Sequence, residues 1–132
     1  MSTGTAPRRF LADEGGGVAL EFAIVGLAFV LATLGLIEFG RALQARNELA
    51  FAADFGARQI LIDPDLGAAD IEAAIAAHFD GYDPDSLGVE VGSETVDGDD
   101  YRTIDLSYPV NLSIPGYDGA LTLRISRRVP RL

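Results

Sequence analysis

The chain has 132 residues, with twenty acidic and ten basic side chains and a formal net charge of −10. All ten basic residues are Arg, and none of their runs exceeds a pair, so there is no positive stripe to track a phosphate backbone. The absence of Cys and the single His exclude disulfides, thiolate zinc sites, Cys nucleophiles and multi-histidine metal centres. The length allows one modest domain plus a membrane segment.

Residues 1–16 are polar and carry Arg8, Arg9, Asp13 and Glu14. No helix pattern persists through Gly15, Gly16 and Gly17. Residues 18–37, VALEFAIVGLAFVLATLGLI, then contain one charge, Glu21. As a helix this run is about 30 Å long, the thickness of a bilayer core. It exceeds the apolar region of a secretory signal peptide, and its length favours an anchor. Gly26, Ala28, Ala32, Gly35 and Gly40 offer small surfaces where a neighbouring helix could pack closely. Glycine is also simply common in membrane helices.

The helix is expected to continue beyond the apolar run. Residues 38–61 contain no Pro and are rich in good helix formers. Leu36, Phe39, Leu43, Ala50, Ala53, Ala57 and Ile60 follow the three-four spacing of one apolar face, interrupted by Arg46. Glu38, Arg41, Gln44, Glu48 and Arg58 fall mostly off it. Pro64 and two aspartates in IDPDLG mark the break. One helix from Gly17 to Leu61 would be about 65 Å long.

A second helix is expected over 68–79, AADIEAAIAAHF, with Asp70 and Glu72 in the first turn, where the helix dipole favours them. Ile71, Ala74, Ile75 and Phe79 form its apolar stripe. His78 reads as a helix-end or half-buried side chain, with no Ser or Cys motif to make it catalytic.

In the last third the period changes to two. GVEVG at 88–92, YRTIDLSYPVNLSI at 101–114 and ALTLRISRRV at 120–129 alternate, and turn residues separate them. Ile104, Leu106, Tyr108, Val110, Leu112 and Ile114 share one face, as do Leu121, Leu123 and Ile125. Pro109 suggests an edge position or a bulge. The fold class is therefore α+β: a long helix whose first half could span a membrane, a short second helix, and a small antiparallel sheet of about three strands. A three-stranded sheet needs cover, and both helices can supply it. The organisation reads as residues 1–16, a helix over 17–61, and a small extra-membrane part over 62–132.

Asp63-Pro-Asp65, Asp83-Pro-Asp85 and Asp97-Gly-Asp99-Asp100 could suggest calcium. None has the spacing of a calcium loop, and Asp-Pro and Asp-Gly are ordinary turn chemistry. Pairs such as Glu90 with Glu94, or Asp97 with Asp105, read as exposed strand and turn acids. No phosphate loop, nucleophile elbow or metal motif appears, so no cofactor and no enzymatic activity are expected.

Glu21 is the residue that asks for a function. A carboxylate at the centre of a membrane helix costs about 2.5–3.5 kcal/mol. Near the helix start it could snorkel to the headgroups or favour the positive end of the dipole. The other solution is a nearby positive charge, and a cut among the glycines would create one as a new N-terminal amine.

The segment GGGVALEF resembles the processing site of type IV pilin-like proteins, in which a hydrophobic helix follows Gly and carries Glu at its fifth mature position. A cut between Gly16 and Gly17 makes Glu21 the fifth residue, and Phe22 then matches the aromatic residue that follows Glu in Flp pilins. Over about residues 10–60 the chain resembles the TadE-like pseudopilins of tight-adherence (Tad/Flp) pilus systems. The shared features are the Glu-Phe start, Glu38-Phe39-Gly40-Arg41 at the end of the apolar run, and the Ala-rich stretch to Ala57-Arg58. The resemblance implies a minor pilin whose residues 1–16 form a leader removed by a prepilin peptidase. Removing two Arg and two acids leaves the charge at −10. It further implies that Glu21 pairs with the amine of Gly17, in its own or a neighbouring subunit.

The implied partners are the peptidase, other pilins and pseudopilins, an inner-membrane assembly platform and the lipid bilayer. The implied placement is a single-pass inner-membrane protein with a cytoplasmic N-terminus and a periplasmic C-terminal part, able to enter a surface pilus. Arg8 and Arg9 before the helix nearly balance Arg41 and Arg46 after it, so charge leaves orientation open. The alternative reading is an unprocessed, single-span envelope scaffold of a secretion or adhesion machine.

Overall fold

The computed structural model describes residues 14–79 and 82–131. Its elements are α1 (Glu14–Ile62), α2 (Ala68–His78), a single 3-10 turn (Pro84–Ser86) and the strands β1 (Gly88–Val96), β2 (Asp99–Ile114) and β3 (Tyr117–Pro130). The fold is α+β, with a long N-terminal helix, a short second helix and a three-stranded antiparallel sheet in the order β1-β2-β3. The chain divides into two compact units, residues 1–37 and residues 38–132, and α1 contributes to both.

In the first unit, α1 starts at Glu14, three residues before Gly17, and takes in all three glycines. The first four N–H groups of any helix lack intrahelical acceptors, so a helix start tolerates glycine better than an interior does. The helix ends one residue past Leu61. There the Asp63 N–H still donates to the Gln59 carbonyl, at 2.9 Å, before Pro64 prevents continuation. Residues 1–13 of the expected leader lie outside the described residues.

The second unit is a helix pair on one face of the sheet. Leu49, Ala52, Ala53 and Ile60 of α1 meet Ile71 and Ile75 of α2, Phe79, and Ile104, Leu106, Tyr108, Ile125 and Val129 of the sheet. The buried face of α1 is therefore Ala42, Ala45, Leu49, Ala52, Ala53, Gly56 and Ile60. This corrects the expected stripe: Ala53 and Ile60 are buried, Ala50 and Ala57 half-buried, and Leu36, Phe39 and Leu43 exposed. The reason is distance. The stripe of small residues lets the helix axis approach its neighbours closely, and a Cβ added to Gly56 would stand 2.5 Å from Ile75 Cδ1 and 3.2 Å from Ile104 Cδ1.

Both hairpins close with two-residue turns. Val96 pairs with Asp99 across Asp97 (φ 54°) and Gly98 (φ 93°), and two successive positive φ angles are those of a type I′ turn. Ile114 pairs with Tyr117 across Pro115 and Gly116, whose φ of 85° suits the Pro-Gly order of a type II turn. The register then runs without a bulge, Pro109 facing Thr122. Pro109 thus sits in the central strand, neither at a bulge nor in an edge strand. Each two-residue turn makes its closing pair a hydrogen-bonded one, so even residues of β2 bond to β3 and odd residues bond toward β1. Because β1 begins at Gly88, opposite Ser107, the missing donor of Pro109 faces a flank where no strand of the described residues pairs.

Candidate functional site

The first candidate is the apolar part of α1. It is long and apolar enough to cross a bilayer, and its most apolar window has no residue buried. Ideal helix geometry puts Gly17 and Glu21 on one face, one turn apart, and carries the same face on through Ala28, Ala32 and Gly35. Gly26 lies on the opposite side. The small residues of the first unit therefore form one stripe below Glu21 and one separate notch. Gly40 belongs to the second unit, where it is exposed. Gly16, Gly17, Gly26, Gly35 and Gly40 each have open space where a Cβ would stand. Glu21 and Phe22 are exposed, Phe22 by 78%. Thr33, the other polar side chain of the run, satisfies its hydroxyl internally by donating to the Phe29 carbonyl at 2.8 Å. Glu21 makes no hydrogen bond or ion pair with any described residue. The carboxylate is thus singled out twice: as the one charge in the run, and as a group that no described residue satisfies.

The second candidate escaped sequence reasoning. Where β2 passes the start of the second unit, an open groove of about 460 Å³ is lined by Glu38, Arg41, Gln44 and Glu48 of α1, by Tyr82, and by Tyr108–Asn111. Glu38 is buried, at 9% exposure, and its carboxylate accepts from Arg41 Nη1 at 3.3 Å. Phe79, Tyr82 and Tyr108 form an aromatic cluster with ring centroids 5.0–5.6 Å apart. Burial pushes the Tyr82 phenol above its ordinary range, the Glu48 carboxylate and Tyr108 push the same way, and Arg41 opposes them. No motif marked this groove, because its α1 and β2 walls come from positions at least 60 residues apart in the chain, Glu48 and Tyr108 being the nearest.

The acidic turns do backbone work. Asp63 Oδ1 accepts from the Asp65 N–H at 3.1 Å, and Asp83 Oδ1 from the Asp85 N–H at 3.2 Å. Asp83 Oδ2 also accepts from Ser86 Oγ, and Asp100 from Thr95 Oγ1. Among the described residues no three His, Cys, Asp or Glu side chains gather where they could hold a metal ion. Glu90 and Asp105 lie opposite one another across the β1–β2 ladder, on the face away from the helices. Glu94 pairs with Arg128 at 2.7 Å. His78 ends α2 and stacks on Phe55, centroids 3.5 Å apart, so it joins the two helices.

Residues 16–58 match the model of a family described as TadE-like protein. The match covers 43 of the 132 residues, and over that segment the chain is similar to TadE-like proteins. The match begins at the glycines before Glu21 and ends four residues short of the end of α1, so the TadE-like segment lies wholly within that helix. It takes in Gly16, Gly17, Glu21, Phe22 and all five small packing residues. TadE-like proteins belong to Tad pilus systems, which agrees with an apolar N-terminal helix able to anchor the chain in a membrane. No curated protein and no solved structure matches the chain.

Proposed function

We propose that the protein is a minor pilin or pseudopilin of a Tad/Flp-type pilus assembly system, non-enzymatic and acting through its TadE-like helix. The observation that carries this reading is Glu21: an exposed carboxylate without a partner among the described residues, in an apolar helix, inside the segment that matches the TadE-like family. A prepilin peptidase on the cytoplasmic side would cut between Gly16 and Gly17. The new amine would then stand one helical turn from Glu21, close enough for an ion pair within the subunit. It could equally meet the Glu21 of a neighbouring pilin. In hydrocarbon such pairing offsets the burial of both charges and sets the register between subunits. Ala28, Ala32 and Gly35 lie on the same face, so a neighbour that reaches Glu21 could also pack closely below it. The anchor would sit in the inner membrane, with residues 40–132 on the periplasmic side, bound to the assembly platform and to other pilins.

The test is the intact mass and N-terminal sequence of the protein from its native membrane, in strains with and without the peptidase. A peptidase-dependent start at Gly17 supports the reading. Glu21→Ala is expected to leave membrane insertion intact and to reduce piliation severely, and normal piliation in that variant would overturn the assembly role. One observation favours the alternative of an unprocessed envelope scaffold: α1 runs without a break from Glu14 through the glycines. A start at Met1 or Ser2 in wild-type membranes would decide for it.

A further inference from the structure

The central strand is longer than one of its neighbours. β1 pairs with β2 only as far as Gly88 opposite Ser107, while β2 continues to Ile114. Even residues of this stretch bond to β3, so the backbone groups of Asn111 and Ser113 face the flank beyond the start of β1. Among the described residues, none bonds to them there. Each offers one N–H and one C=O, a ladder left half made. Both side chains are exposed and uncharged. The outer edge of β3 differs, since it carries the exposed Arg124 and Arg128, and edge charges of this kind discourage strand pairing.

The groove between α1 and β2 runs beside this flank and reaches Asn111. Its α1 wall sets two carboxylates, Glu38 and Glu48, against one arginine, Arg41. Glu38 is buried, and among the described residues it accepts one hydrogen bond, at 3.3 Å from an Arg41 side chain that is 71% exposed. A carboxylate has room for about four such bonds, and a buried one left short of donors is costly. Glu48 is half-buried and enters none of the ion pairs of the described residues. Tyr82 and Tyr108 add aromatic surface to the same walls. Excess negative charge, ring faces and an unpaired ladder therefore stand side by side, all within residues 38–132. A small cation would meet the carboxylates and leave the backbone groups idle. An added strand uses both, because its backbone completes the ladder while every second side chain turns to the helix side of the sheet.

We propose that this groove takes an extended segment of another protein chain as an added strand. The backbone of that segment pairs with Asn111 and Ser113, and a basic side chain on its helix-facing side meets Glu38 and Glu48. Charge complementarity selects the segment, and the main-chain bonds hold it.

The probe is the peptide acetyl-Thr-Val-Thr-Arg-Thr-Val-Thr-amide, whose Val and Arg side chains share one face, with a Glu-for-Arg peptide beside it. Isotope-labelled full-length protein in detergent micelles would be titrated with each, and amide hydrogen exchange followed residue by residue by NMR. The Arg peptide is expected to slow exchange at Asn111 and Ser113 by at least about tenfold, and to leave Ala120 and Thr122 on the outer edge of β3 unchanged. The Glu peptide should bind at least about tenfold more weakly, and Glu48→Gln should narrow that gap. Asn111→Pro removes an outward donor without touching the bonds to β3, so it should abolish the protection of Ser113. No protection at either amide with millimolar Arg peptide overturns the site. Equal protection by the Glu peptide refutes the part given to the carboxylates, and equal protection at Ala120 and Thr122 means unselective edge pairing. Slow exchange at Asn111 and Ser113 before any peptide is added means that the chain fills its own groove, or that a second copy does if the slowing grows with protein concentration. Each of these results refutes the proposal, and none of the readouts depends on cleavage at Gly17 or on Glu21.

Discussion

Gly56 is the position where the packing of α1 is most sharply constrained, and replacing it by alanine tests the helix-on-sheet geometry directly. A Cβ there would stand 2.5 Å from Ile75 Cδ1, 2.7 Å from Ile75 Cγ1 and 3.2 Å from Ile104 Cδ1. The ends of isoleucine side chains can normally move aside. Here both isoleucines have 0% exposure, so neither has free space to move into. Overpacking of this kind costs about 1–3 kcal/mol, and helix propensity returns about 1 kcal/mol of it on going from Gly to Ala. The expected net loss is therefore about 1 kcal/mol. Gly40→Ala in the same helix meets nothing within 4 Å, so it keeps the propensity gain and is expected to be neutral or stabilising. Urea titration of the full-length protein in detergent, followed by tyrosine near-ultraviolet circular dichroism, separates the two. With a slope of about 1–1.5 kcal/mol per molar urea, the Gly56 variant should unfold roughly 1 M earlier than wild type. If Gly56→Ala stabilises as much as Gly40→Ala, the close approach of α1 to α2 and β2 is wrong.

Three further outcomes follow from the second unit. Tyr82 has its phenol raised in the folded state, so folding favours the neutral form; its contribution is complete below the ordinary phenol value and is lost as pH rises above about 10. Stability should accordingly fall at alkaline pH, and Tyr82→Phe should flatten that part of the curve in urea titrations at several pH values. Gly98→Ala is expected to destabilise by about 1–2 kcal/mol, because its φ of 93° disfavours any side chain, and hydrogen exchange of β1 and β2 amides should accelerate near the turn. Arg127→Ala removes a 2.6 Å contact to Asp54, yet both partners are more than a third exposed; the loss should stay below about 1 kcal/mol and shrink further at high salt.

Much of this molecule was legible in the chain itself because the deciding interactions are local. The end of α1, the extent of α2 and the three strands follow from residues that act within a few positions: Pro64 halting a helix, alternation marking strands, Asp97-Gly98 and Pro115-Gly116 turning them. The Glu21 motif was legible for the same reason, since one charge in an apolar run needs no partner to be noticed. The tertiary structure decided what depends on competition between distant groups. Two stripes of α1 were apolar enough to be buried, and the sheet took the one whose small residues permit a closer approach, leaving Phe39 and Leu43 outside. Glu38 read as a surface charge until β2 folded over it. Pro109 read as an edge or bulge residue, and only the start of β1 at Gly88 showed how a central strand accommodates it.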